Sequence, residues 1–403
     1  MKTNQLQKNI SKEWREIPVG DIFSFIKTYA ISRENLSTGI VSTNDIGNIH
    51  YGDIHSTYTS TNIDLSKTEI PLIKDKNFKF KKEELLKDGD IIMADASEDY
   101  SGVSVTISVY GIGNKKVVGG LHTYVLRDEK GITDEYYRQY IFRNPKIRNK
   151  LQKIANGVSV YGVSKTTLAK VFLPIPSLLE QNRIVSVLET WDKTIENLNK
   201  KIEIKKQIKK GLMNTYIFKS KNAKDFFIED LFDLGRGRVI ARGEIEKNAG
   251  EYPVYSSQTS DNGIFGKINT YDFEGEYLTW TTDGANAGRV FYRTGKFNCT
   301  NVCGTAKLKQ NLKVNLYFVY SYLNYITKNY VSYVGNPKLM NGIFGKIQIK
   351  LPDVKEQEKI AKILIISDKE INELERKLKI IKEQKKYLLN NLITGAIRTP
   401  ENL

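Results

Sequence analysis

Apolar residues between Ile360 and Leu392 recur in alternating steps of four and three. The positions are Ile360, Leu364, Ile371, Leu374, Leu378, Ile381, Leu388 and Leu392, with Ser367 and Lys385 filling the two gaps in the rhythm. Such a heptad seam predicts a long helix that packs along one narrow stripe. An earlier stretch carries the same rhythm at Ile184, Leu188, Trp191, Ile195, Leu198 and Ile202, then at Leu212 and Tyr216. Lys205 and Lys209 interrupt this first seam, and a local shift in register would let Ile204 and Ile208 take over. Pro176 and Pro352 mark the entries, because proline suits the first turn of a helix. Each helix spans about 35–40 residues, or about 55 Å at 1.5 Å per residue. A seam this narrow does not bury itself against a broad surface, so the two helices are expected to pair with each other.

The two stretches are copies at a constant offset of 176 residues. Pro176, Glu180, Gln181 and Ile184 fall on Pro352, Glu356, Gln357 and Ile360, and about 17 of 42 consecutive positions are identical. The regions before the helices are related more weakly. Trp14-Arg15-Glu16-Ile17-Pro18-Val19-Gly20-Asp21-Ile22-Phe23 opens one and Phe226-Phe227-Ile228-Glu229-Asp230-Leu231-Phe232 the other. Both continue with alternating apolar residues and Gly/Asn turns, which read as strands. The expected fold class is α+β, with globular parts at 1–175 and 220–350 and long helices at 176–219 and 351–403. Similar helices carrying diverged globular parts suit one frame that presents two different reading heads.

Composition narrows the partners. The 403 residues carry a formal net charge of +16, which favours a polyanion. Codon bias towards Lys, Asn, Ile and Tyr explains the same surplus without function, so charge alone does not decide. No apolar run reaches the roughly 18 residues of a membrane span. Met1–Gln7 is polar and unlike a signal peptide, which leaves the cytoplasm as the expected location. Two cysteines, Cys299 and Cys303, cannot make a disulfide framework, and with His50, His55 and His122 they do not give ligand pairs at zinc spacing.

The domain order and the twice-repeated Pro-x-x-x-Glu-Gln-x-x-Ile helix entry resemble the specificity subunit of type I restriction-modification systems. The segment Asp283–Phe291 also looks like a target-recognition segment of that family. The resemblance covers nearly the whole chain. It implies two α/β target-recognition domains, each reading half of a split double-stranded DNA sequence, joined by two long helices that form an antiparallel coiled coil. It further implies docking of two modification subunits that carry the adenine methyltransferase and S-adenosylmethionine. A restriction subunit that joins the assembly would add ATP- and Mg-dependent translocation and cleavage. No cofactor is expected in this chain itself. Seam residues Ile184, Leu188, Trp191, Ile195, Leu198, Ile202, Ile360, Leu364, Ile371, Leu374, Leu378, Ile381 and Leu388 would then serve coiled-coil pairing and subunit docking.

A search for catalytic chemistry agrees with a non-catalytic role. The chain has no Gly-x-x-x-x-Gly-Lys-Ser/Thr loop, and Gly111-Ile112-Gly113 and Gly235-Arg236-Gly237 lack the third glycine of a dinucleotide site. Asn144-Pro145-Lys146 and Asn336-Pro337-Lys338 share only two letters with an adenine methyltransferase motif and read as turns. Asp192 with Glu203-Ile204-Lys205 imitates a nuclease set, but both lie in the heptad helix, away from any metal cleft. Two rivals to the reading remain: a self-contained type II-like restriction or modification protein, and a coiled-coil protein–protein scaffold.

Base reading needs Arg for guanine, Asn or Gln for adenine, and Ser or Thr more loosely. The candidates are Arg33, Ser97, Tyr100 and Tyr161 in the first globular part. In the second they are Arg236, Arg238, Ser257, Gln258, Asn286, Arg289 and Lys338. Each also reads as a solvated turn residue. The 176-residue offset places Tyr161 opposite the Tyr333–Lys338 segment.

Overall fold

The computed structural model describes residues 14–58, 60–218 and 223–400; the polar stretch Met1–Gln7 lies outside the described residues. The chain divides into two compact units, residues 1–196 with 379–403, and residues 197–378. The division cuts both long helices, so each unit joins one globular part to a piece of each helix.

The first globular part runs through β1 (Arg15–Pro18), β2 (Ser24–Ile26), β3 (Leu36–Gly39), β4 (Ile46–Ile49), α1 (Tyr51–Ser56), β5 (Asn62–Asp64) and β6 (Ile70–Ile73). It continues with β7 (Ile91–Ala94), β8 (Ala96–Ser97), β9 (Thr106–Tyr110), β10 (Lys116–Gly119) and β11 (Thr123–Arg127). It ends with α2 (Pro145–Lys153), β12 (Tyr161–Gly162) and β13 (Phe172–Ile175), and α3 (Leu178–Phe218) is the first long helix. A five-stranded sheet has the order β2-β11-β7-β9-β5 and a four-stranded sheet the order β10-β4-β6-β3. β7 is buried at all four positions, as its unbroken apolar run Ile91-Ile92-Met93-Ala94 requires of a central strand.

The second globular part repeats the plan with β14 (Lys224–Phe227), β15 (Phe232–Arg236), β16 (Ala249–Tyr255), β17 (Ile264–Ile268) and β18 (Phe273–Glu274). β19 (Tyr277–Thr281), β20 (Val290–Arg293), β21 (Lys296–Cys299) and β22 (Cys303–Leu308) follow, then α4 (Leu316–Ile326), β23 (Gln348–Leu351) and the second long helix, α5 (Val354–Leu392). Its sheets have the orders β15-β22-β19-β20 and β17-β16-β21-β18. Four strands correspond in order: β2, β11, β7 and β9 of the first part occupy the places of β15, β22, β19 and β20, and β5 is an added edge strand. In each part the entry strand pairs antiparallel with the strand just before the long helix, β1 with β13 and β14 with β23. That pairing explains the kinship of the two opening segments. In the second core Trp280 stacks on Phe344 at 3.7 Å. Gly304 makes room for the indole, since a Cβ there would lie 2.2 Å from it.

The helices pair antiparallel within each unit. In the second, Lys205 meets Glu370 at 2.7 Å, Lys206 meets Glu375 at 2.9 Å, and Lys209 meets Asp368. In the first, Lys385 meets Asp192. Every predicted seam position from Ile360 to Leu392 is buried or half-buried, and so is every one from Ile184 to Tyr216. The expected register shift at Lys205 and Lys209 does not occur. Ile204 and Ile208 stay outside, 55% and 51% exposed. The lysines hold their seam positions because their aliphatic stems cover the stripe while the ammonium groups reach acids on the facing helix. The architecture is α+β with two long paired helices, as the sequence predicts. Among the described residues no helix is long and apolar enough to cross a membrane.

Candidate nucleic-acid interface

In the second unit four predicted residues meet at one end of the β15-β22-β19-β20 sheet. β19 runs out into the turn Thr282–Gly288, whose backbone ties to the segment after α4. The Gly284 N–H donates to the Pro337 carbonyl at 2.9 Å, and the Leu339 N–H to the Thr282 carbonyl at 2.9 Å. Asp283 also accepts from Arg236 Nη2 at 3.4 Å. Arg236, Asn286, Arg289 and Lys338 are therefore neighbours by topology despite their separation in sequence, and all four are exposed.

The other candidates of this unit are more committed. Arg238 is held between Glu244 at 2.6 Å and Asp272 at 3.0 Å, and the Glu244 carboxylate raises its pKa. A guanidinium so neutralised is a poor phosphate contact. Gln258 donates its side-chain N–H to the Ile264 carbonyl and closes a turn in which Asp261 and Asn262 take left-handed φ values of 47° and 52°. Ser257 is half-buried beside it. Arg293 escaped the sequence reading. It is buried, lies 3.5 Å from the Tyr255 ring and 4.3 Å from the Phe291 ring, and desolvation lowers its pKa. Nothing in its local sequence sets it apart from a solvated strand arginine.

In the first unit Ser97, Tyr100 and Tyr161 come together. β8 pairs with β12, which sets Ser97 opposite Tyr161, and the Tyr100 ring packs edge-on to Tyr161 at 5.4 Å. Ser97 is buried and its hydroxyl accepts the Asp99 N–H at 3.1 Å, so it shapes the turn and leaves outward contact to exposed Tyr100. Arg33 bonds Asp53 of α1 at 2.8 Å. α1 also brings His55 Nε2 within 3.2 Å of the Ala96 carbonyl oxygen. His50, His55 and His122 surround Tyr51 at 4.7, 6.1 and 5.2 Å between ring centroids. Only His122 comes from far away in the chain, and among the described residues no group of His, Cys, Asp and Glu side chains is arranged to hold a metal.

Each unit also has a cation-lined cavity between its long-helix pieces and its globular part. The first, about 490 Å³, has Arg143, Arg148 and Lys386 on its wall; the second, about 590 Å³, has Lys210 and Arg289 beside the Lys206–Glu375 and Lys209–Asp368 pairs. Lys210 and Lys386 are equivalent under the 176-residue offset. Arg148 also donates to the Ser101 carbonyl at 2.6 Å, beside Tyr100. This arrangement of exposed side chains and positive charge suits a polyanion with an edge pattern to be read.

Comparison with known proteins agrees. Residues 11–206 and 220–383 match the type I restriction modification DNA specificity domain. A protein of Mycoplasma pneumoniae named as a type I specificity subunit is 44% identical over 167 residues, covering 41% of this chain and 44% of that protein. The match thus spans less than half the length of that relative. The solved S subunit of a type I restriction-modification system from M. genitalium shares the fold, with TM-score 0.55, 15% identity and coverage of 94% of this chain and 96% of that one. A chain from a structural study of complex assembly and conformational transition of the type I R-M system shares it too, with TM-score 0.56, 12% identity and coverage of 95% and 98%. Two tandem domain matches, which together cover most of the chain and each take in much of one long helix, place this chain in the type I restriction-modification DNA specificity family.

Proposed function

We propose that this chain reads a two-part, asymmetric DNA target and docks two adenine methyltransferase subunits without bringing a catalytic group of its own. The observation that carries the reading is the pairing of one architecture with two different sets of accessible side chains, Tyr161 being half-buried. The turn that carries Asn286 and Arg289, bridged to Lys338, stands where the turn that carries Tyr100, bridged to Tyr161, stands in the other unit. Two unlike heads read two unlike half-sites. S-adenosylmethionine, and ATP and Mg where a restriction subunit joins, belong to the partner subunits in this reading. Exposed Ile204 and Ile208, off the helix seam, suit partner docking.

Co-expression with the adenine methyltransferase encoded beside it, followed by long-read mapping of methylated adenines, tests this. The expected result is one bipartite motif with a fixed gap that disappears when this chain is omitted. Methylation unchanged by its omission, with the complex shown to assemble, would move the reading towards a scaffold. Methylation by the purified chain alone would make it a self-contained enzyme.

A further inference from the structure

Two loops, one in each unit, are built alike. Asn156 and Gly162 exchange both backbone hydrogen bonds at 2.9 Å and close the five residues 157–161. Ser332 and Lys338 exchange the same pair at 2.9 Å and close residues 333–337. The 176-residue offset sets the closing pairs on each other and Val158 on Val334. Apart from that valine the two loops share no residue, yet both valines are 92% exposed.

These loops are held, not loose. Gly157 has φ +140°, and a Cβ there would lie 1.8 Å from the Val160 carbonyl oxygen. An aromatic donor from the sheet pins the residue after each loop: the Tyr124 hydroxyl donates to the Val163 carbonyl at 3.1 Å, and the Trp280 indole N–H to the Leu339 carbonyl at 2.9 Å. A pinned arm that keeps a valine in water forgoes the burial an apolar side chain gains elsewhere, which marks it as a contact point.

The surroundings select the occupant. Each arm stands on the strand or turn that carries the candidate reading residues, through Ala96 and Ser97 in one unit and Asp283 in the other. Lys338 closes the second arm. Two backbones bonded side by side have the width of a β-ribbon, which a major groove of about 12 Å admits and a minor groove of about 6 Å does not. In the major groove the apolar feature on a base edge is the thymine 5-methyl group. We propose that Val158 and Val334 each seat on a thymine methyl, one in each half-site. This rests on the DNA-reading role proposed above.

The test uses the complex of this chain with its methyltransferase and duplexes of the mapped target in which each thymine in turn is replaced by deoxyuracil. Loss of one methyl contact is expected to weaken binding about fourfold at one thymine per half-site. Val158→Ala removes that penalty in one half-site and Val334→Ala in the other, with unchanged melting temperature, because both side chains lie in solvent. A half-site without an A·T pair, indifference of the wild-type complex to every uracil, or a penalty that persists in both variants would overturn the proposal. Loss of complex assembly in the alanine variants, measured without DNA, would overturn it too and make the arms partner contacts. If the chain directs no methylation at all, the DNA-reading role itself fails, a result distinct from all of these.

Discussion

The side-chain carbonyl of Gln181 accepts the backbone N–H of Asp134 at 2.6 Å, while its amide donates to the Pro176 carbonyl at 2.9 Å. Gln357 does the same with Asn315 at 2.9 Å and Pro352 at 2.8 Å. Asn315 caps α4 and Asp134 closes a turn, accepting the Phe318 and Tyr137 N–H groups at 2.9 Å. The glutamine of the repeated helix entry thus ties a turn or cap of its globular part to the start of its long helix. Both glutamines are buried, so Gln181→Leu and Gln357→Leu each strand a backbone N–H. Denaturant unfolding is expected to show a loss of about 1–3 kcal/mol for each; a loss under half of that would mean that the link is dispensable.

The seam lysines give a second prediction. Ile204→Gln and Ile208→Gln are expected to change stability by no more than about 0.5 kcal/mol, as exposed substitutions do. Ile202→Ala should cost about 2–5 kcal/mol, because Ile202 is buried. Urea unfolding of the three variants decides it: a large cost at 204 or 208 would restore the register shift that the structure rejects.

His50 makes the first unit sensitive to acid. Its Nδ1 accepts the Gly52 N–H at 3.1 Å and caps α1, which demands a neutral ring. Burial lowers its pKa, with Arg33 and His122 adding to the shift and Asp53 opposing it. The unfolded chain, with an ordinary histidine near pH 6.5, then binds the proton more readily than the folded one. This contribution is fully present above about pH 6.5 and is lost as the pH falls from there through the lower folded value. His50→Asn keeps a capping side chain and is expected to flatten the dependence of melting temperature on pH between about 5 and 7. An unchanged slope in that variant would assign the effect elsewhere.

Arg238 and Lys338 separate charge from contact. Arg238 is already paired with two carboxylates, so Arg238→Ala is expected to leave the salt dependence of DNA binding as it is. Lys338→Ala should lower the slope of log K against log salt by about 0.9, the loss of one phosphate contact. Titration of the assembled complex with target duplex at several salt concentrations measures both.

The helices, their pairing and the equivalence of the segment around Tyr161 with Tyr333–Lys338 are legible in the sequence, because each rests on a period or an offset. The seam could be read because its spacing is local. The fate of Lys205 and Lys209 could not, because their acids lie on the other helix. Among the candidate contacts the sequence indicates residue types suited to bases but not what they already hold. Asp272 and Glu244 claim Arg238, and Asp99 claims Ser97, through turns whose geometry only the fold defines. The packing of His122 on Tyr51 and of Arg293 on Tyr255 joins segments far apart in the chain, and it leaves no motif.

The first unit is closed by residues from 379 onward. Leu392 and Ile393 are buried in the same core as Trp14 and Leu188, the Asn144 amide donates to the Ile393 carbonyl at 2.8 Å, and Arg398 reaches buried Glu180. On the ribosome, residues 1–196 are made well before the residues from 379 onward that complete their unit. The part of the chain that is made first therefore cannot complete its core until they have been made. Until then its apolar seam stays open, and translation that stops between residues 378 and 392 leaves a second unit with all its residues tethered to a first one that lacks Leu392 and Ile393.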